Sequence, residues 1–386
     1  MIKVLLCFGT RPEIIKLAPM VHAMKQSANI QPILCSTGQH QTMVSQMLTL
    51  FDLQLDEDLG LMQKGQTVES LTLAVMSHLG KVLDDHKPDY IMVQGDTTSA
   101  FVSGLLAYYS HIPVLHLEAG LRSGDMTKPW PEEANRRLLA VLGSQHFAPT
   151  QLDADNLAKE NIPSGSVHVV GNTVVDALRY MQNKISKDDD LHNQLKEKFS
   201  FLEEGEPFIL VTGHRRESHG GGHAAVFKVL KKIANECQIK IVFPVHLNPL
   251  VKDLADEILS DCPQVFLLDP VDYIEMQYLL KSCYFVITDS GGIQEEAPTY
   301  GKPLLVTREV TERMAGVLNG SALLVGTDAK KLFDHAKKLI VDKEYYISMA
   351  QSGNPYGDGL AAQRVCEIIS DLDQSRRNKT EEVVNE

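Results

Sequence analysis

The chain has 386 residues, and its 50 acidic side chains outnumber 37 basic ones for a net charge of −13. A protein held on nucleic acid by bulk charge would be basic, so that class is excluded; a local arginine cluster serving a small anionic ligand is not. At roughly 150 residues per domain the length predicts two or three domains, and 44% hydrophobic with 23% charged residues is ordinary globular usage.

The opening MIKVLLCFGTRPE reads as a first strand rather than a signal peptide. No run of 18 apolar residues is present, which excludes a spanning helix. The six cysteines are scattered with no CxxC spacing, and no Cys/His cluster suggests zinc. The expectation is a reduced, cytoplasmic protein with no metal.

Strand-like runs then alternate with helical periodicity. Residues 2–8 (IKVLLCF) predict a strand, 13–26 a helix, 30–36 a strand and 67–85 a helix. A strand follows at 89–94 (DYIMVQ), a helix at 98–109 and a strand at 112–117 (IPVLHL). Residues 183–206 are polar and charged, and predict a helix plus a connection. The pattern then restarts with strands at 207–212, 239–244, 265–269, 284–288, 303–306 and 322–325. Such alternation predicts an α/β protein built from two doubly wound parallel sheets in tandem. An internal echo supports this: the first strand of each half runs into Gly-x-Arg-x-Glu, at Gly9–Glu13 and Gly213–Glu217. The tail at 373–386 is polar and predicted to fray.

Ligands of open parallel sheets bind beyond the carboxyl ends of the strands, so those positions are where functional side chains are expected. They hold Arg11 and, one helical turn on, Lys16; Asp96; Glu118; His214, Arg215 and Arg216; and Asp289-Ser290-Gly291-Gly292 with Glu295 and Glu296. Ser290, Gly291 and Gly292 open a helix directly after a strand, where bare amides can take phosphate oxygens. Arg11, Arg215 and Arg313 could complete a diphosphate site by bidentate pairing, or could serve as surface ion pairs. Grouped carboxylates at Asp96, Glu118 and Glu132 could work as general acid and base. Glu132 follows a Pro-Trp-Pro loop and reads equally well as an acid favoured by a helix dipole. His214 could neutralise or protonate a leaving diphosphate, whereas His116 in its apolar strand reads as core. The glycine patterns for nicotinamide and for nucleotide triphosphate loops are both absent, so neither NAD nor ATP is expected.

Taken in order, Gly9-Thr10-Arg11-Pro12-Glu13, Gly95-Asp96-Thr97-Thr98, Glu118-Ala119-Gly120-Leu121-Arg122, Pro131-Glu132-Glu133, Gly171-Asn172-Thr173, Gly213-His214-Arg215-Arg216-Glu217, His246-Leu247-Asn248-Pro249 and Asp289-Ser290-Gly291-Gly292-Ile293-Gln294-Glu295-Glu296 resemble the non-hydrolysing UDP-N-acetylglucosamine 2-epimerases. The resemblance spans nearly residues 1–370. It implies two Rossmann-like domains around a deep cleft, as in B-type glycosyltransferases, covering 1–172 and 173–359, with a helix at 360–372 crossing back onto the first. It implies a homodimeric cytoplasmic isomerase, without cofactor, that interconverts UDP-GlcNAc and UDP-ManNAc for surface polysaccharide synthesis.

By motif position the resemblance assigns Asp96, Glu118 and Glu132 as the acid/base set and His214 as the group near the diphosphate. It assigns Arg11, Lys16, Arg215, Ser290, Gly291, Gly292, Glu296 and Arg313 to the nucleotide, with Glu296 on the ribose hydroxyls. A second UDP-GlcNAc acting as activator would be taken by Gln39, His40 and His246. Two enzymatic alternatives stay open: a 2-epimerase of another UDP-2-acetamido sugar, and a hydrolysing epimerase that releases ManNAc and UDP.

Overall fold

The apolar run Ile2–Phe8 forms a strand that is buried on both faces, which is what an unbroken hydrophobic stretch demands of a central parallel strand. In this computed structural model, residues 1–39, 41–63, 65–202, 205–213 and 222–385 are described. They divide into two compact units, Met1–Ala177 together with Tyr356–Glu386, and Leu178–Pro355.

The first unit runs β1 (Ile2–Phe8), α1 (Arg11–Gln26), β2 (Ile30–Ser36), α2 (Gln41–Leu50), β3 (Glu57–Asp58), α3 (Val68–His86), β4 (Tyr90–Gln94), α4 (Thr98–Tyr109), β5 (Val114–Leu117), α5 (Glu132–Leu142), β6 (Gln145–Ala148), α6 (Gln151–Lys159) and β7 (Val167–Val169). Its seven strands are parallel in the order β3-β2-β1-β4-β5-β6-β7. The chain leaves through α7 (Thr173–Lys187).

The second unit contains α8 (Asp189–Lys198), β8 (Phe208–Thr212), α9 (Gly222–Cys237), β9 (Lys240–Pro244), α10 (Pro249–Leu259), β10 (Val265–Leu268), α11 (Tyr273–Ser282), β11 (Phe285–Thr288), α12 (Gly291–Glu296), β12 (Leu304–Val306), α13 (Met314–Leu318), β13 (Ala322–Leu324), α14 (Ala329–Val341) and α15 (Lys343–Ala350). Its six parallel strands lie in the order β10-β9-β8-β11-β12-β13. Each sheet therefore reverses its winding once, between β1 and β4 and between β8 and β11. Those two switch points open a crevice at the carboxyl edge where loops diverge.

The last helix, α16 (Ala361–Asn385), packs along α1 of the first unit. Its return is fixed locally. The Asn172 amide donates to the Tyr356 carbonyl at 2.7 Å, and the Asp176 carboxylate accepts from the amides of Ala361 and Ala362. Burial raises Asp176 above the ordinary carboxylate range. The expected fraying of 373–386 is corrected: the backbone stays helical to Asn385, because Gln, Arg, Lys and Glu are good helix formers and lack any Gly or Pro stop. Three strands absent from the sequence reading also appear, namely β3, β6 and β7. They are two to four residues long, with polar or histidine positions that break the apolar signal.

Candidate active site

The loop after β1 is built by a capping box. Thr10 caps α1, and the buried Glu13 three residues on accepts from the Gly9 amide (3.0 Å), the Thr10 amide (2.8 Å) and the Thr10 hydroxyl (2.7 Å). Its other oxygen takes the Thr97 hydroxyl at 2.7 Å, so Glu13 ties the β1 loop to the β4 loop across the switch point. Burial raises the Glu13 carboxyl, and these four donors oppose the shift. Gly9 is required by close approach: a Cβ there would lie 2.5 Å from the Thr37 hydroxyl and 2.6 Å from that of Ser99. Arg11 stands exposed at the first position of α1.

Lys16, one turn further along α1, is buried and donates to Glu118 Oε2 at 2.6 Å. Gln94 at the end of β4 donates to the same oxygen. Glu118 itself sits just past β5 with φ +65°. A non-glycine residue in the left-handed region costs about 1–3 kcal/mol, and such outliers persist where the surroundings over-determine them. Here the determinants are Lys16 and Gln94, which pull the carboxylate back over the sheet edge.

Asp96, beyond the adjacent strand β4, is held by Arg136 of α5: Nε donates to Oδ2 at 2.8 Å and a terminal nitrogen lies 2.7 Å from it. Asn135 donates to the Asp96 carbonyl at 2.9 Å. Arg136 is buried and also donates to Glu133 at 2.9 Å. Burial pushes Glu133 up, but the Ser123 amide and Arg136 outweigh it and leave the carboxyl below its usual range. Glu132 opens α5 one turn before Arg136, on the same face of the helix. His116 is buried in β5 and its Nε2 meets the Gly95 carbonyl at 2.8 Å, beside Asp96. Burial drives this imidazole down to about 3, so it is neutral and Nε2 donates. Gln39, after β2, accepts from the Ser99 hydroxyl at 3.3 Å.

In the second unit, Asp289 and Ser290 follow β11, and the Ser290 amide donates to Thr288 Oγ1 at 2.9 Å. Arg313 lies flat on Gly291: a Cβ there would meet its guanidinium carbon at 3.0 Å. Only glycine admits the arginine at that distance. Arg313 donates to Glu295 at 3.0 Å and is paired with Glu312, which also accepts from Arg308 at 3.1 Å. Thr311 bridges the two segments, donating to Gln294 at 2.8 Å and accepting from the Arg313 amide. The buried Glu296 accepts from Gln277 at 2.6 Å. At Gly292 a Cβ would stand in ordinary van der Waals contact with Glu296 Oε1, at 3.7 Å, and with the Ser290 hydroxyl, at 4.0 Å. His246 is exposed after β9 and its Nδ1 accepts the Asn248 amide at 3.1 Å.

Thus Arg11, Lys16, Gln39, Asp96, Glu118 and Glu132 gather at the carboxyl edge of one sheet. Ser290, Gly291, Gly292, Glu296, Arg313 and His246 sit at the carboxyl edge of the other. His40, His214 and Arg215 lie outside the described residues. The sequence reading missed the supports Glu13, Arg136, Glu133, Glu312 and Gln277. The Thr-x-x-Glu spacing at 10–13 is a capping-box signature and could have revealed the first. Arg136 and Gln277 are distant in sequence from Asp96 and Glu296, by 40 and 19 positions, so no local pattern encodes them; Glu133 and Glu312 pair with arginines within four positions, a spacing too common to single them out.

The architecture is α/β with two parallel sheets, the two-domain fold of the B-type glycosyltransferase kind. Residues 22–370 match the sequence profile of UDP-N-acetylglucosamine 2-epimerase. The UDP-N-acetylglucosamine 2-epimerase of Yersinia pestis is 45% identical over 368 residues, covering 95% of this chain and 98% of that one. The Escherichia coli K12 enzyme of the same name is 44% identical with the same coverage. The crystal structure of the Neisseria meningitidis UDP-GlcNAc 2-epimerase bound to UDP-GlcNAc superposes with a TM-score of 0.91 at 42% identity, covering 96% of this chain and all of that one. The chain belongs to the UDP-N-acetylglucosamine 2-epimerase family.

Proposed function

We propose that this chain epimerises UDP-N-acetylglucosamine at C2 by elimination and re-addition of UDP, giving UDP-N-acetylmannosamine reversibly for surface polysaccharide synthesis. The C2 proton is not adjacent to a carbonyl, so simple abstraction is very hard. In elimination, a carboxylate takes the C2 proton, the C2–H pair becomes the C1–C2 double bond, and the C1–O bond breaks to release UDP. UDP oxygen then re-forms the C1 bond of the 2-acetamidoglucal while a proton is delivered to the opposite face of C2. Two acid/base groups are needed, together with a held diphosphate and exclusion of water from the glucal.

The observation that carries this reading is the pair of strand-end carboxylates, Asp96 and Glu118, each clamped by a buried cation from another helix. Clamping sets geometry, which is what proton transfer at a single carbon requires. Glu132 is the third member of the set. Arg313, backed on Gly291, is suited to a phosphate, as are the amides after Ser290, and Glu296 is suited to ribose hydroxyls. Arg11 and Lys16 are assigned to the nucleotide with them. His214 and Arg215 carry the family's place near the diphosphate. No cofactor enters this scheme.

We assign the working form as a cytoplasmic homodimer. Leu73 of α3, Tyr108 and Tyr109 of α4, and Leu138 and Val141 of α5 are exposed and apolar, a surface suited to a second copy. Light scattering of the purified protein tests it, and a monomer at micromolar concentration overturns it. Gln39, His40 and His246 are assigned to a second, activating UDP-GlcNAc. A plain hyperbola in initial velocity, with UDP-ManNAc turned over unaided, removes that assignment.

The test of the reaction is proton NMR of UDP-GlcNAc in D2O without added cofactor. Deuterium at C2 of newly formed UDP-ManNAc is expected, with traces of UDP and glucal. Free ManNAc as sole product would mean a hydrolysing enzyme. Binding without change at C2 would mean another UDP-acetamido sugar.

A further inference from the structure

The second unit holds a cavity of about 520 Å³ at the opposite, amino edge of its sheet. Its floor is Phe208 and Tyr284, at the starts of β8 and β11, and its walls come from α7, α8, the end of α11 and the segment before β12. It is thus separated by the length of the strands from the Ser290 loop at the carboxyl edge. The volume lies within the ordinary range for a small-molecule pocket. No step of the epimerisation uses it.

The lining has a definite chemistry. Lys196, Lys281 and Lys302 supply three ammonium groups. Lys281 and Lys302 make no ion pair among the described residues, and the wall carboxylate Glu206 is already held by Lys240 at 2.5 Å. Tyr278, Tyr284 and Tyr346 give aromatic surface; Tyr284 and Tyr346 stack at 4.2 Å and 3° and so present a rigid slab. Cations set beside flat aromatic rings fit a planar anion, a ring bearing phosphate or carboxylate.

A polar chain leads from this cavity toward the other edge. Gln182 and Tyr300 both line it. The Tyr300 hydroxyl donates to Gln277 Oε1 at 3.0 Å, and Gln277 Nε2 donates to Glu296 at 2.6 Å. Gln277 has one orientation that serves both partners, so shifting Tyr300 shifts the donor that holds Glu296.

We infer that this cavity is a second ligand site for a planar ring-bearing anion, and that its occupancy adjusts nucleotide affinity through Tyr300, Gln277 and Glu296. The relay half rests on the ribose role given to Glu296; the binding half does not. The probes are AMP and 4-hydroxybenzoate, each titrated calorimetrically into full-length protein saturated with UDP. One saturable site is expected, weakened about tenfold or more in K281A/K302A. Preference for AMP assigns a phosphate, and preference for 4-hydroxybenzoate a carboxylate. Displacement of UDP by the probe, indifference to K281A/K302A, or no binding of either probe overturns the site.

For the relay, the bound probe should change the Kd of UDP at least about fivefold, and UDP should change that of the probe equally. Y300F should keep the probe and lose the coupling. Binding with no shift in UDP affinity overturns the relay. If E296Q keeps full UDP affinity, the ribose role fails instead, and the probe titration still decides the cavity.

Discussion

The two units share a fold and a switch point but invert their electrostatics. In the first, acids are presented and bases position them: Lys16 holds Glu118 and Arg136 holds Asp96. In the second, a base is presented and acids position it: Glu295 and Glu312 flank Arg313, and Arg308 steadies Glu312. A carboxylate clamped by a cation is a fixed proton acceptor. A guanidinium seated on glycine with two of its edges pinned is a fixed anion receptor. On the function proposed above, the same architecture would yield a proton-transferring set in one unit and a phosphate-holding arginine in the other through the identity of the side chains beyond the strands.

The inversion is tested most strongly by D96N. Turnover should fall by roughly 10²–10⁴, while calorimetric UDP affinity stays within about twofold, since Asp96 is assigned to proton transfer and not to the nucleotide. A near wild-type rate would remove Asp96 from the reaction. Next in size is R136K. Lysine cannot reproduce a fork that serves Asp96 and Glu133 together. Turnover should drop about 10- to 100-fold through mispositioning, with KM little changed. An unchanged kcat would mean that Asp96 needs no clamp.

The complementary break is R313Q. UDP binding should weaken about tenfold, the loss of one charge-assisted phosphate contact, while kcat at saturation changes far less. A kcat collapse with UDP affinity intact would place Arg313 among the proton-transfer groups and end the contrast between the units.

How much of this was legible beforehand follows the range of each interaction. The central strands β1, β4, β8 and β11 announced themselves as apolar runs because both faces are buried. The short outer strands β3, β6 and β7 did not. Residues 183–206 read as one helix and a connection, yet α7 stops at Lys187 and Asp188 caps a separate α8. The strand-end candidates were visible because topology places function there. Their partners were not: Lys16 and Glu118 are 102 positions apart, and Asp96 and Arg136 are 40 apart. His116 was read as core, and it is buried, but its bond to the Gly95 carbonyl also fixes the loop that carries Asp96.

That histidine gives the smallest and cleanest test. Where the first unit ties its switch-point loop with an imidazole, the second joins β8 and β11 by a hydroxyl pair, Thr212 and Thr288, 2.6 Å apart and not titratable in this range. Burial lowers His116 to about 3 in the folded chain, against an ordinary value near 6.5 unfolded. Between those values the unfolded chain binds a proton that the folded chain does not, so stability rises with pH and is lost as pH falls below about 6.5. The contribution lost between pH 7 and pH 5 is about 2 kcal/mol. His146 is shifted the same way by burial and adds to the slope, so the informative quantity is a difference between variants. H116Q keeps a donor toward Gly95 and removes the titration. Its denaturant midpoint should therefore fall less steeply with acid than that of the wild type, while UDP affinity at pH 7, where the imidazole is neutral in the folded wild type and absent from the variant, stays unaffected. Parallel acid profiles for the two proteins would mean that the imidazole takes its proton in place, and that the first unit's loop is no more sensitive to acid than the hydroxyl-tied loop of the second.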